Sequence, residues 1–288
     1  MNSSEIQPLF EDLAERLATE SDLAPLNLST LARASARITT QRVPIARLEL
    51  GESRIGELPD VPPSFEWPRW APPRKSDDGP DESGPSSPIP LGFIAQIDLS
   101  AIPRVDELLP DSGWLYFFYD RYREPWGFDP TDRGCCRVIY ANCDRTGLTR
   151  AEPPPDADLE HVAATCNVEI WPELTLPDTL ADVEYGTAAF EAYGRLCNEL
   201  TKAGGLTQHR LWGHPQLIQN PMELECHLAS NGIYCGRPSD YEREDAKALE
   251  SGAVDWQLLL QIDTDEDGPG WMWGGRRSNL FLDQETGS

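Results

Sequence analysis

The sequence predicts an α+β fold carried mainly by antiparallel sheet, built from a duplicated hairpin unit. Three observations point there. An apolar, strand-like segment occurs twice at an offset of about 165 residues. Isolated amphipathic helices occur without the strand–helix alternation that builds parallel sheets. The 26 prolines and 22 glycines exceed what a helical bundle tolerates, because proline removes a backbone donor and interior glycine costs conformational entropy.

In chain order, residues 1–40 read as an N-terminal helical extension and residues 41–288 as the main domain. Over residues 5–20, Ile6, Leu9, Phe10, Leu13 and Leu17 recur at helical spacing, with Pro8 tolerable in the first turn. A second helix is expected over residues 29–38, showing Leu31 on one side and Arg33 and Arg37 on another. Residues 42–50 alternate like a strand, and residues 71–90 have the composition of a flexible surface loop.

The duplicated segment lays LGFIAQID, residues 91–98, over WQLLLQID, residues 256–263, and the same offset lays Leu115-Tyr116-Phe117 over Leu280-Phe281-Leu282. Phe93, Ala95 and Ile97 then share a strand face, as do Leu258, Leu260 and Ile262. Gln96 and Asp98 lie on the opposite face, as do Gln261 and Asp263. Such a repeated polar pair either satisfies backbone groups at a turn or sheet edge, or lines two symmetry-related pockets. Further on, a strand is expected at residues 137–140 and a proline-bounded stretch at residues 168–177. A helix over residues 186–203 places Phe190, Tyr193, Cys197 and Leu200 inward, and a polar helix follows at residues 240–250.

With 24 basic against 49 acidic residues the chain carries a formal charge of −25, a field that repels phosphate backbones and anionic lipid surfaces. Direct nucleic-acid binding and membrane association are therefore not expected. The acidic exterior serves solubility or steers a basic protein partner. Seven cysteines, an odd number, fit reduced thiols, and residues 1–5 lack a basic leader, so the cytoplasm is the expected compartment.

No phosphate-binding loop, dinucleotide fingerprint, nucleophile elbow or zinc-protease motif occurs, and no cofactor, metal or catalytic residue is assigned. The run Asp263–Gly268 starts like a calcium loop, but its twelfth position is Gly274 where a bidentate glutamate is required, so it reads as an acidic turn. Cys135-Cys136 and Cys143 lack zinc-ligand spacing. The densest set of polar functional groups is QHRLWGHPQLIQ, residues 208–219, where His209, His214 and Gln219 could line a pocket. The candidate binding residues are thus His209, His214, Gln219, Gln96, Asp98, Gln261, Asp263 and Trp273.

Several separated motifs carry a resemblance. They are SRIGELPDVPPSFEWP from Ser53, FIAQIDL from Phe93, LPDSGWLYFFY from Leu109, WGFDP from Trp126, GCCRVIY from Gly134 and LTLP from Leu174. HRLWGHPQLIQ from His209, WQLLLQID from Trp256 and WMWGG from Trp271 complete the set. In this order the sequence resembles the YwqG-like family, the domain of unknown function numbered 1963. The chain departs from that family at Gly56-Glu57, where Gly-Gly is common, and at Trp273-Gly274-Gly275, where the family closes with Trp-Gly-Asp. The resemblance implies an α+β fold on a duplicated unit and no established activity, ligand or catalytic residue. Relatives near genes for secreted toxins suggest, by analogy, an immunity-like role. The expected function is binding of a basic, toxin-like protein partner, with a small-molecule site or enzyme at the 209–219 loop as the other reading.

Overall fold

The computed structural model describes residues 5–73, 75–76, 79–80, 87–157, 162–180, 183–203, 207–217, 221–271 and 278–283. Their fold is α+β, with one large antiparallel sheet of nine strands. The strands are β1 (Arg33–Arg42), β2 (Arg54–Ile55), β3 (Gly92–Asp98), β4 (Trp114–Tyr119), β5 (Cys136–Ala141), β6 (Cys166–Thr175), β7 (His209–Leu211), β8 (Trp256–Ile262) and β9 (Ser278–Asp283). Across the sheet they run β5-β4-β3-β2-β6-β1-β7-β8-β9. Part of the loop expected at 71–90 lies outside the described residues.

The duplication is wider than two hairpins. In the first half, β2 pairs with β3 and β3 with β4; in the second, β7 pairs with β8 and β8 with β9. Both hairpins carry a bulge at the same place, between Phe93 and Ala95 and between Leu258 and Leu260. The long strands β1 and β6 pair with each other along ten residues in the middle of the sheet, in a register centred between Arg37 opposite Trp171 and Ile38 opposite Ile170. Each then pairs outward with the other half: β6 with β2, and β1 with β7. Each half therefore runs long strand, short strand, hairpin, and the long strands are exchanged between the halves.

This architecture revises several expectations. A four-residue helix, α2 (Leu28–Leu31), stands where the second helix was expected, and the chain then enters β1, which crosses the expected boundary at residue 40. Small Ala34, Ser35 and Ala36 suit a strand flanked on both sides, a tertiary setting that overrides local helical spacing. Residues 42–50 hold only a single 3-10 turn, Ile45–Arg47, after the strand end. The polar helix expected at 240–250 shrinks to Glu244–Lys247 flanked by 3-10 turns. In the second hairpin strands the true partners are Phe117 with Leu280 and Phe118 with Phe281, two residues from the constant-offset alignment.

The bulges also move side chains. With an extra residue inserted, Ile94 joins Ala95 and Ile97 in the main core while Phe93 turns to the other face, against Trp70, Tyr116 and Phe118. The main core gathers both hairpins around Leu115, Phe117, Leu211, Trp212, Leu259, Leu260 and Trp271. A separate cluster joins α1 (Gln7–Thr19) and α3 (Ala188–Ala203) to the end of β6 through Leu13, Leu23, Leu28, Leu174, Tyr193 and Leu196. A satellite cluster surrounds α4 (Glu223–Ser230), an element with no clear periodicity in the sequence.

Each short strand ends in two consecutive left-handed residues: Gly56 (φ 83°) and Glu57 (φ 56°) after β2, Trp212 (φ 66°) and Gly213 (φ 82°) after β7. The order of glycine and bulky residue is inverted between the halves. A Cβ on Gly56 would sit 2.3 Å from the Ala164 carbonyl oxygen, whereas Glu57 occupies the strained position with a side chain. Replacing Gly56 by Ala should destabilise the protein by about 2–4 kcal/mol through strain and collision. Replacing the adjacent Glu57 by Gly should shift stability by less than about 1 kcal/mol, relief of strain offsetting lost chain stiffness. Denaturant midpoints of the two variants check the contrast.

Candidate functional site

The duplicated strands hold a duplicated polar clamp. In the first half the Gln96 side-chain oxygen accepts the Asp60 amide hydrogen at 2.7 Å, and its nitrogen donates to the Glu52 carbonyl at 2.8 Å. In the second, Gln261 accepts from the Gln216 amide at 2.9 Å and donates to the Gln208 carbonyl at 2.5 Å. The Asp98 amide donates to the Ser53 hydroxyl, and the Asp263 amide to His209 Nδ1, at 2.8 and 3.0 Å. Arg54 donates to the Leu58 carbonyl and Arg210 to the His214 carbonyl, both at 3.0 Å. The first amide of each bend, Gly56 or Trp212, donates to the carbonyl of the bulged residue, Ile94 or Leu259. Aligned on these contacts, RIGELPD (54–60) matches RLWGHPQ (210–216), with arginine and proline at equal spacing.

The buried arginines are balanced differently in the two halves. Arg54 and Asp60, both fully buried, pair at 2.6 Å, and Arg150 joins the other oxygen of Asp60. Burial alone would raise the Asp60 carboxyl, but Arg54 and Arg150 outweigh it and lower it to about 2. In the second half Gln216 replaces Asp60, and the carboxylate comes from β6: Glu173 accepts from Arg37 at 3.0 Å and Arg210 at 3.5 Å. Gln208 completes the set, accepting from Arg37 at 2.7 Å and Arg210 at 2.9 Å. Each half thus contains an arginine–carboxylate–arginine triad, with Arg150 of the first only partly buried.

The sequence-predicted residues fall into place around these clamps. Gln96, Asp98, Gln261 and Asp263 are all buried. The carboxylate of Asp98 accepts from Ser100 and Arg145, and that of Asp263 from the Gln208 and Thr264 amides. His209 is fully buried; Nδ1 accepts the Asp263 amide, so Nε2 carries the proton and donates to Asp265 at 3.1 Å. Burial would raise the Asp265 carboxyl, but His209, the Thr40 hydroxyl and the Gly268 amide lower it to about 2. The acidic run at 263–268 is thereby a turn tied to β1 and β7. His214 donates from Nε2 to the Leu31 carbonyl at 2.7 Å, and burial lowers its pKa to about 4. Gln219 and Trp273 lie outside the described residues.

These contacts organise backbone. A cleft of about 270 Å³ lies elsewhere and holds none of the predicted residues: Glu57, Trp67, Leu91, Phe93, Asp120 and Asp156 are among its walls. Among the described residues no set of three or more histidine, cysteine, aspartate or glutamate side chains is placed to hold a metal ion, and the seven cysteines are all thiols. Sequence reasoning missed Arg54, Asp60, Arg210, Arg37, Glu173 and Asp265. The matching Arg and Pro spacing at 54–60 and 210–216 could have revealed two of them.

Fold and clamp together define an internally duplicated antiparallel α+β protein whose two halves exchange a strand. The chain belongs to the family described as Domain of unknown function (DUF1963), which matches residues 53–285. The match begins after β1, so the strand that β7 needs for pairing precedes the family segment. No curated protein matches the chain.

The perturbed groups fix an acid profile. A neutral buried imidazole loses its advantage as pH falls from the ordinary 6.5 toward about 4, because the unfolded chain binds the proton first. The lowered Asp60 and Asp265 add stability above pH 3.8 that is lost as pH falls toward about 2. Urea midpoints should decline in these two stages. Substituting His214→Gln, which keeps a donor for Leu31, should flatten the first stage and leave the second. Gln96→Leu, which strands the Asp60 amide and the Glu52 carbonyl, should cost about 2–4 kcal/mol by the same measurement.

Proposed function

We propose that the protein is a binding protein that captures a basic protein partner through its carboxylate-rich exterior, in the manner of an immunity protein neutralising a toxin. The observation that carries this reading is where the charge resides. Among the described residues six acids (Asp60, Asp98, Asp120, Asp132, Asp263, Asp265) and three basic residues (Arg37, Arg54, Arg210) are buried. The interior therefore accounts for little of the excess of 49 acids over 24 bases.

The helical layer concentrates part of it. Glu11, Asp12 and Glu15 on α1 and Glu191 and Glu199 on α3 are exposed, and Glu184 precedes α3. Arg16 is already paired with Glu20 and Glu199. His209, His214, Gln96 and Gln261 are engaged in internal hydrogen bonds, which favours a surface over that loop as the functional element. Among the described residues no helix is long and apolar enough to cross a membrane.

The test is retention of a basic partner on the immobilised protein from extracts and medium of the source organism. Electrostatic capture predicts retention at about 50 mM salt and release near 500 mM, where screening falls to a few ångström. Neutralising Glu11, Asp12 and Glu15 together should weaken retention at least tenfold. Recovery that ignores both salt and the triple variant, or no partner at either salt, would overturn the reading.

A further inference from the structure

We propose that the cleft beside Glu57 is a binding site for an organic cation, an ammonium or guanidinium group on an apolar body. Its floor is apolar and aromatic, with Leu91 and Phe93 of the first hairpin region and the indole of Trp67 among the lining residues. The Trp67 ring is fixed, its Nε1–H donating to the Leu91 carbonyl at 2.8 Å and its edge packed on Phe118. Aromatic faces attract cations, and a cleft of about 270 Å³ suits a side chain or a small amine.

The charges around it select the sign. Three carboxylates line the cleft: Glu57, Asp120 and Asp156. Asp156 is held by both arms of Arg69, at 2.8 and 2.7 Å. Asp120 accepts the Tyr122 and Arg123 amides and the Arg123 guanidinium at 3.3 Å. The other cation on the wall, Arg121, lies over the Trp271 ring at 4.9 Å. Glu57 differs from the other two acids. Among the described residues its carboxylate receives the Thr165 hydroxyl and is bridged by no arginine. A carboxylate has room for further donors, and this one is at the cleft wall.

Its backbone makes the placement more telling. Glu57 holds φ 56°, a region where side chains are disfavoured, while its counterpart in the second half is Gly213. Strained residues of this kind concentrate where a ligand is held. The fold closes the equivalent bend with glycine, so the bend itself does not require the carboxylate. The strain, the cavity and a carboxylate bridged by no arginine coincide at one residue.

Two sources present this chemistry, a free amine and a lysine or arginine side chain of a protein. Benzylamine and a capped arginine tetrapeptide, titrated calorimetrically into the full chain, represent them. Benzoate and the same peptide with norleucine in place of arginine serve as controls. Saturable binding of either cation, weakened at least tenfold by Glu57→Gln and by Glu57→Gly and unchanged by Glu242→Gln at an exposed position outside the cleft, is the expected result. Preference for the peptide assigns the site to a protein side chain, and preference for benzylamine to a free amine. Absence of saturable binding by both cations, affinity in both Glu57 variants equal to that of the unsubstituted protein, or benzoate binding as tightly would overturn the proposal. The helical acidic layer takes no part in this test, so its outcome is independent of whether α1 captures a partner.

Discussion

Two buried bends, each made of consecutive left-handed residues, set the requirement that the rest of the sheet meets. A strand that turns so sharply takes its next amides and carbonyls out of the ladder, and buried backbone groups left unpaired are costly. A glutamine on the neighbouring strand solves this with one side chain, because its amide offers an acceptor and a donor about two ångström apart. Gln96 and Gln261 each spend both, on Asp60 and Glu52 and on Gln216 and Gln208. Leucine has the volume and neither group. The arginine two residues before each bend secures the far carbonyl, and its buried charge then obliges a carboxylate nearby.

That obligation explains how the halves have diverged while keeping one geometry. The first half supplies its carboxylate from the bend itself, as Asp60; the second supplies it from the exchanged strand, as Glu173 on β6. In the second half the ion pairs therefore tie β1, β6 and β7 together, and Arg37 of β1 shares the acceptor. Because each long strand pairs outward with the opposite half, neither half contains a complete sheet of its own. Removal of β1 would strip β7 and β6 of a partner together, which makes residues 33–42 integral to a fold whose family match begins at residue 53.

The duplication was legible in the sequence because LGFIAQID and WQLLLQID retain a polar pair on an apolar strand, a pattern with few reasons to occur twice. The bends were not, since Gly56-Glu57 and Trp212-Gly213 share no residue type in register and only φ reveals their equivalence. β1 was hidden for a different reason. Its Arg33 and Arg37 sit four apart, as on a helix face, but they mark strand positions that reach Gln257 and Glu173. The two-residue error in the second hairpin strands arose from loops of unequal length. His209 and His214 stood out as candidate pocket residues, and their hydrogen bonds are with backbone and Asp265; the cleft left no motif, because its walls come from five separate stretches of chain.

The charge of the molecule divides along the same lines. Of the 24 basic residues only three are lysines, and the three buried cations are arginines, whose fork can reach two acceptors in a fixed plane. Each has its carboxylate inside the protein, so the interior is nearly self-sufficient in charge. Folding thus asks for few of the 49 acids, and a net charge of −25 opposes compactness by self-repulsion. The surplus is a load that the hydrogen-bonded bends and the shared core must carry. A load of that kind acts outward, on whatever approaches from solvent, and several basic side chains outside the core are themselves paired with carboxylates, as Arg69 is with Asp156 and Arg16 with Glu199.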